Sequence, residues 1–343
     1  MKVLLQSYAR PIKSLMLLSC IALILFFTGC KKGHDAPTFT LTTVASGLVN
    51  PMGIESDRWG NIWIIQMGTA NNDAKVVVIK PNGQKYDAIV NLSSIINESS
   101  GEIQGGSHLL LDNGMLYILS GDYMYKVNVS GFRPGDAPID GSKLPFEDIA
   151  AFSKSYPWVN NAHDSHPYNL MKGPDGDIYI ADAGANAIIH RKSAGHYSVL
   201  AEIPGYANPT PVGPPQIQAV PTGIIFDGHN FLVSTLTGFP FLPGQSIIYK
   251  VTPGGNVSVY QQGFSLLVDI ADGSIYGHMV LQYGTFGATG FVPNTGALIM
   301  ANGATSTVLT NTLNMPVGIK QVNQFTWYIT SMADGTVLKA TYN

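Results

Sequence analysis

Residues 167–181, PYNLMKGPDGDIYIA, decide the fold of this chain. The stretch opens with a proline, continues as a short apolar strand, turns at Pro174-Asp175-Gly176-Asp177 and enters a second strand at Ile178. An Asp-Gly turn joins antiparallel strands tightly, because such a turn needs backbone positions with positive φ. The stretch therefore predicts a β-hairpin.

The same pattern occurs six times along the chain, as in propellers and other repeat arrays. The other five copies begin at Pro51-Met52-Gly53-Ile54, Ser107-His108-Leu109, Pro221-Thr222-Gly223-Ile224, Val268-Asp269-Ile270 and Pro316-Val317-Gly318-Ile319. Most copies are followed by a third and a fourth strand, and four antiparallel strands repeated radially form a propeller blade. We therefore predict an all-β fold, a six-bladed β-propeller of four-stranded blades within residues 38–343.

The two ends of the chain complement each other. The sixth copy stops after its third strand, residues 336–341, whereas residues 38–46 form a strand that precedes the first copy. If this N-terminal strand completes the last blade, the ring closes and no sheet edge stays open. We predict that closure.

Two places depart from the regular pattern. Residues 131–164 are predicted to replace a simple fourth strand of blade two with a short helix and a loop, and residues 204–221 to form a loop on one face. Long insertions of this kind are often binding loops. In the fifth copy, we place the turn at Asp272-Gly273 and the second strand at Ile275-Tyr276.

The N-terminus has the pattern of an export signal rather than of the fold. Basic residues up to Lys13 precede an apolar run that ends in Phe27-Thr28-Gly29-Cys30, which resembles a bacterial lipobox. We predict a signal peptide over residues 1–29, lipidation of Cys30 and a tether over residues 30–37, which together anchor the protein to a membrane of the cell envelope. The alternative is an ordinary cleaved signal. Lys31 favours the outer membrane, because it is not the Asp that retains some lipoproteins in the inner membrane.

Composition excludes one class of partner. Only 12% of the 343 residues are charged and the formal net charge is −3, so no basic surface is predicted to attract nucleic acid. The chain also lacks a Gly-x-Ser-x-Gly elbow, a phosphate-binding loop and paired zinc-binding cysteines.

Several motifs in blades three and four resemble the ScyD/ScyE family of exported propeller proteins. The residues that carry the resemblance are His166-Pro167-Tyr168-Asn169-Leu170, Pro174-Asp175-Gly176, residues 181–186 (ADAGAN), Val220-Pro221-Thr222-Gly223 and residues 236–244 (LTGFPFLPG). The resemblance implies an exported NHL-like propeller. It implies no particular activity, because the members of the family share no agreed one.

One position per blade faces the channel at equivalent places in the six copies. Three blades have glycine there, which suits close backbone approach, and the others have His108, Asn169 and Asp269. Carboxylate and amide oxygens are the ligands of hard divalent cations such as Ca²⁺. These three residues are thus a candidate channel site, for a metal or another ligand. The alternative is that they hydrogen-bond neighbouring blades.

Two further segments are candidate ligand contacts. His163, Asp164 and His166 lie within four residues and suit acid–base or metal chemistry, although such a run is also typical of a turn whose polar side chains bond the backbone. Phe239 and Phe241 stand in an apolar loop of blade four. They are predicted either to form the rim of a site for an apolar ligand or to cover a blade edge.

These patterns support two functions. The first is a lipid-anchored binding or scaffold protein that uses one propeller face to hold a small molecule, a glycan or a protein partner. The alternative is a metal-dependent hydrolase, lactonase or lyase with its site in the channel. The fold alone does not decide between them, because propellers have unrelated functions.

Overall fold

A computed structural model describes residues 39–97, 101–159, 163–274 and 276–342. The residues from Phe39 onward form one compact unit. The predicted signal peptide, Cys30 and the predicted tether lie outside the described residues. Six sheets arranged around a channel confirm the predicted all-β, six-bladed β-propeller.

The strands are numbered in chain order, and in each blade the first strand is innermost. They are β1 (Phe39–Ala45); β2 (Pro51–Ser56), β3 (Ile62–Gln66), β4 (Ala74–Ile79) and β5 (Lys85–Leu92) in blade one; a hairpin of β6 (Ile95–Ile96) and β7 (Ile103–Gln104); β8 (Gly106–Asp112), β9 (Met115–Ser120) and β10 (Tyr123–Asn128) in blade two; and β11 (Ile139–Asp140) and β12 (Phe146–Asp148). A 3₁₀ turn at Gly141–Lys143 lies between β11 and β12, and the helix α1 (Ile149–Ser155) follows β12.

The second half of the chain repeats the arrangement. Its strands are β13 (Pro167–Lys172), β14 (Ile178–Asp182), β15 (Ala187–Ser193) and β16 (His196–Glu202) in blade three; a hairpin of β17 (Tyr206–Ala207) and β18 (Gln216–Ile217); β19 (Pro221–Phe226), β20 (Phe231–Thr235), β21 (Ser246–Val251) and β22 (Val257–Phe264) in blade four; β23 (Leu267–Ser274), β24 (Gly277–Gln282), the hairpin β25 (Thr285–Gly287) and β26 (Gly290–Val292), then β27 (Gly296–Ala301) and β28 (Ser306–Leu313) in blade five; and β29 (Pro316–Asn323), β30 (Thr326–Ser331) and β31 (Thr336–Tyr342) in blade six.

The N-terminal strand closes the ring, as predicted. β1 pairs antiparallel with β31, in a register that runs from Phe39 opposite Tyr342 to Ala45 opposite Val337. Blade six is therefore a sheet in the order β1-β31-β30-β29. Its first strand, β29, lies beside β2 of blade one, so the first strands form a continuous ring.

The core is divided among the interfaces between neighbouring blades. Each of the six interfaces has its own cluster of buried apolar side chains. Second strands lie between neighbours on both faces, and every residue of β3 and β14 is buried. Outer strands such as β5 and β22 have exposed residues along their length. The second strands are more buried than the outer strands because they lie further from the solvent. The turn pattern of the sequence does not indicate this difference in burial.

Blade two differs in part from the prediction. The short helix is confirmed as α1, whose first turn is capped by Asp148 as its Oδ1 accepts a hydrogen bond from Ala151 N at 2.8 Å. However, the fourth strand is shortened rather than replaced, because β12 pairs with β10 over three residues. In addition, β11 pairs in parallel with β5 and gives blade one a fifth strand.

In blade five, the predicted positions of the turn and of the second strand were wrong. β23 continues through Asp272 and Gly273 to Ser274, and β24 begins at Gly277. The Asp-Gly pair is therefore part of the first strand. The ladder is irregular there, with a register shift between Ala271 and Ser274, so the glycine marks a bulge.

Candidate functional site

The first strands give the channel two ends. We call the end where these strands begin the entry end, and the end where they turn into the second strands the turn end. Between them lies the waist, formed by Gly53, His108, Asn169, Gly223, Asp269 and Gly318. A Cβ atom at Gly53 would lie 2.6 Å from the Cα of His108, and one at Gly223 would lie 2.6 Å from Ile270 N. The backbones are thus packed so closely that the waist holds only three side chains.

The structure brings these three side chains, His108, Asn169 and Asp269, together. Asn169 Nδ2 donates a hydrogen bond to Asp269 Oδ1 at 2.9 Å, across the channel from blade three to blade five. Ile319 N of blade six donates to Asp269 Oδ2, also at 2.9 Å. His108 Nδ1 of blade two lies 2.8 Å from the carbonyl oxygen of Tyr168. These contacts link blade two to blade three, blade three to blade five across the channel, and blade five to blade six.

The oxygens of the waist are already engaged by the main chain. Asn169 Oδ1 accepts a hydrogen bond from Leu170 N, and Asp269 Oδ1 accepts a second one from Ile270 N, both at 2.8 Å. Calcium takes six to eight oxygen ligands. One carboxylate and one amide, each holding backbone N–H groups, suit hydrogen bonding better than calcium. Metal binding at His108, Asn169 and Asp269 stays a prediction.

A cavity of about 370 Å³ opens at the entry end. Its wall is largely apolar, with a few polar side chains from the first strands, from the loops that precede them and from the loops that follow the second strands. The apolar side chains include Met52, Met67, Leu236, Phe241, Phe291 and Met332, and the polar ones Glu102, His166, Tyr168, Thr237 and Tyr283. We call this the entry-end cavity. A largely apolar wall with a few polar groups is the usual composition of a small-molecule site.

Aromatic rings from two blades form one side of this cavity. Phe241, from the loop after β20, packs against Phe291 and Phe286 of the β25–β26 hairpin, with ring centroids 5.5 and 4.8 Å apart. Phe239 lies further out and is 47% exposed. The two predicted rim residues therefore differ in place. Phe241 lines the cavity, whereas Phe239 lies outside its lining and packs edge-on against Phe241.

The three residues of the polar cluster before blade three, His163, Asp164 and His166, also lie in different surroundings. His163 is exposed, and Asp164 accepts a hydrogen bond from Ser165 N at 2.8 Å, as expected of a turn. Only His166 reaches the entry-end cavity. It is positioned by buried Asp182, whose Oδ1 accepts a hydrogen bond from His166 N at 2.7 Å. Asp182 was not among the predicted site residues, because its role depends on contacts between β14 and the preceding loop.

Burial sets the protonation of the polar groups in the entry-end cavity. It raises the pKa of Tyr168, with Asp269 adding to the effect, and raises the pKa of Tyr283 to about 12. Burial also lowers the pKa of His166 below its usual 6.5, although nearby carboxylates oppose this. At neutral pH the cavity therefore presents two phenolic hydroxyl donors and a neutral imidazole.

A second cavity, of about 470 Å³, opens at the turn end. We call it the turn-end cavity. His108, Asn169 and Asp269 lie at its inner end, and Glu55 and Lys320 form an ion pair on its wall, with Lys320 Nζ 2.8 Å from Glu55 Oε1. Burial raises the pKa of Glu55, although Lys320 acts in the opposite direction.

Sequence reasoning missed this ion pair, although the signal was present. Glu55 and Lys320 each stand two residues after the waist position of their blades, and alternate residues of a strand face the same side. The other four blades have aliphatic residues or methionine at this position, namely Leu110, Met171, Ile225 and Ala271. Two opposite charges in an otherwise apolar ring indicate a polar wall.

The fold of the chain is similar to that of known propeller structures. No protein-family model matches the chain, and no curated protein sequence matches it significantly. The PQQ-bound aldose sugar dehydrogenase from Streptomyces coelicolor is 14% identical, with a TM-score of 0.58 over 90% of this chain and 99% of that one.

Two further propellers match at similar levels. Virginiamycin B lyase from Staphylococcus aureus is 14% identical, with a TM-score of 0.51 over 89% of this chain and 99% of that one. A putative gluconolactonase is 11% identical, with a TM-score of 0.52 over 89% and 92%. The similar structures thus include a dehydrogenase, a lyase and a putative gluconolactonase, and at these identities the likeness shows the fold alone. Within the described ranges, no helix has the length and apolarity to cross a membrane.

Proposed function

We propose that this protein binds a small apolar molecule with an aromatic part in the entry-end cavity. The observation that carries the proposal is the wall that Phe241 and Phe291 build from the loops of two blades, together with Tyr168 and Tyr283. The ring of Phe286 packs against both phenylalanines. Apolar surface removed from water supplies the free energy of binding. The tyrosine hydroxyls and the His166 imidazole would orient the polar groups of the ligand.

The size and contents of the cavity support binding. About 370 Å³ lies within the range of small-molecule sites. Three methionines on the same wall, Met52, Met67 and Met332, offer side chains that adapt to the shape of a ligand. We propose that the part of the ligand beside Tyr168, Tyr283 and His166 is neutral, because these groups are uncharged at neutral pH. The wall also includes Glu102, which is an exposed residue.

A neutral aromatic dye, N-phenyl-1-naphthylamine, tests this proposal. Its fluorescence rises in apolar surroundings, so titration of the purified protein should give a saturable signal. Phe241→Ala removes a ring from the cavity wall and should weaken dye binding by roughly tenfold. Phe325→Ala, which removes a partly exposed ring from the turn between β29 and β30, is the matched control and should bind as the unchanged protein does.

The same titration can refute the proposal. Saturable binding that is equally strong in the Phe241→Ala and Phe325→Ala variants would place the dye elsewhere. Absence of a saturable signal from the unchanged protein would show that the cavity does not take an apolar aromatic molecule.

The enzyme alternative stays a prediction, as does membership of the ScyD/ScyE family. A metal-dependent hydrolase, lactonase or lyase would use the waist residues as metal ligands, and the similar enzymes support only the general suitability of the fold. We favour a binding protein because the polar groups of the entry-end cavity are few and its wall is apolar.

We also propose that the chain is anchored to the cell envelope through a lipid on Cys30, with the outer membrane as its site. The support is the lipobox-like sequence Phe27-Thr28-Gly29-Cys30. Growth with an alkyne-labelled fatty acid should label the protein, and Cys30→Ser should remove the label. Cys20→Ser is the matched control, because it changes the other cysteine of the chain. Equal labelling of both variants would contradict the anchor.

A further inference from the structure

The turns that join the first and second strands stand at the turn end of the channel, and their residues differ between the two sides of the ring. In the neighbouring blades five, six and one these turns carry large exposed rings, with Tyr276 51%, Phe325 39% and Trp59 56% exposed. The same turns of blades two, three and four have exposed polar residues, namely Asn113, Asp175 and His229. The three rings therefore lie on one side of the turn end.

Hydrogen bonds within the turns hold two of these rings in place. Asp57 Oδ1 accepts a hydrogen bond from Trp59 N at 2.9 Å, and Asn323 Oδ1 accepts one from Phe325 N at 3.1 Å. The guanidinium of Arg58 lies over the ring of Trp59, with its Cζ 4.4 Å from the ring centroid. Rings held at the tips of ordered turns stay in contact with water unless another surface covers them, and an apolar side of this kind is typical of a docking surface.

The described part of the chain begins beside these rings. Phe39, the first residue of β1, lies opposite Tyr342 of β31. Tyr342 N donates a hydrogen bond to the carbonyl oxygen of Phe325 at 2.9 Å, and the rings of Tyr342 and Tyr276 have centroids 6.2 Å apart. The segment that follows Cys30 therefore joins the propeller at the turn end, next to the turns of blades five and six.

The number of residues before β1 limits the distance from the lipid to the rings. Only residues 31–38 separate Cys30 from Phe39, and a fully extended chain of this length spans about 30 Å. β1 contains seven residues and runs from the turn end toward the entry end, which adds about 20 Å to the path to the entry end. A bilayer that holds a lipid on Cys30 is therefore within easy reach of the three rings and far from the entry-end cavity.

We propose that the turn end of blades five, six and one lies against the lipid bilayer, with Tyr276, Phe325 and Trp59 at the level of the headgroups. Aromatic rings favour this interfacial level of a membrane. The guanidinium of Arg58 beside Trp59 suits a lipid phosphate, which accepts its hydrogen bonds. This inference rests on the proposed lipid anchor at Cys30. It implies that the entry-end cavity opens away from the membrane, toward water.

Quenching of tryptophan fluorescence by brominated lipid tests the contact. The mature lipoprotein is purified from membranes and reconstituted into phosphatidylcholine vesicles, with or without phosphatidylcholine brominated near the headgroup end of its acyl chains. Trp59 is exposed, whereas the other three tryptophans, Trp63, Trp158 and Trp327, are buried. Brominated lipid should therefore lower the emission of the unchanged protein, and Trp59→Phe should abolish this decrease.

Two further variants report on the two ends of the channel. Phe325→Trp and Phe239→Trp, each made in the Trp59→Phe chain, are a matched pair, because both replace a partly exposed phenylalanine, one at the turn end and one at the entry end. Brominated lipid should lower the emission of the tryptophan at position 325 at least roughly twofold and leave that at position 239 unchanged. Equal quenching at both positions, quenching only at position 239, or quenching at neither would overturn the proposal.

Mass spectrometry of the same preparation separates failure of the orientation from failure of the anchor. A lipid on Cys30 without quenching of Trp59 would overturn the orientation alone and leave the anchor standing. A Cys30 that carries no lipid would contradict the anchor, and the orientation that rests on it would be wrong as well.

Discussion

A chain that begins at Ser46 is expected to unfold at least roughly 10 °C below the full chain, or to show no cooperative transition. The truncation removes β1 and leaves β31 as an open edge of blade six. It also removes the side chains of Phe39 and Leu41 from the apolar cluster around Trp327 and Ile329. The lost burial and strand pairing amount to about 5 kcal/mol, and each kcal/mol lowers the melting temperature of a domain of this size by about 2–4 °C.

Thermal unfolding followed by circular dichroism measures this effect. The matched control begins at Thr38, so it lacks the preceding residues but keeps β1 and its pairing with β31. We expect the control to unfold at the temperature of the full chain. If the chain that begins at Ser46 also unfolds there, the N-terminal strand does not close the ring.

The second large effect is expected for Asp269→Ala at the waist. Asp269 is 4% exposed and accepts hydrogen bonds from Asn169 Nδ2, Ile270 N and Ile319 N. Alanine would leave these three buried donors without their acceptor, and each costs about 1–3 kcal/mol. The substitution also removes the free-energy cost of burying a carboxylate, which offsets part of this destabilisation. We expect a net destabilisation of about 3–5 kcal/mol, measured as the free energy of unfolding in urea.

Asp272→Ala is the matched control for this prediction. Asp272 lies three residues along the same strand, and its side chain is exposed. Surface substitutions of this kind change stability by about 0.5 kcal/mol or less. Equal free energies of unfolding for the two variants would mean that the waist does not hold the blades together.

The fold was predictable because short repeated sequence patterns indicate its strands and turns. Each blade repeats a strand, a tight turn and a second strand, and a free strand at one end of the chain matches the strand missing at the other. The exceptions are places where tertiary contacts decide. β11 and β12 contain only two and three residues, so their pairing depends on neighbouring strands rather than on periodicity. Asp272-Gly273 resembles a turn, but the ladder continues through it as a bulge.

The candidate site was predictable only in part. Equivalent positions in the repeats identified His108, Asn169 and Asp269, because symmetry places one residue of each first strand at the channel. The aromatic wall was not predictable, since Phe241 meets Phe286 and Phe291 only after blades four and five pack. Similarly, nothing in the run from His163 to His166 indicates that His166 alone faces the entry-end cavity.

The most direct test of the proposed function is a crystal structure of the protein with N-phenyl-1-naphthylamine at saturation. We predict electron density for the dye in the entry-end cavity, with its rings against Phe241 and Phe291 and its amine near Tyr168. Density for the dye only at another place, with the entry-end cavity free of it, would contradict the proposal.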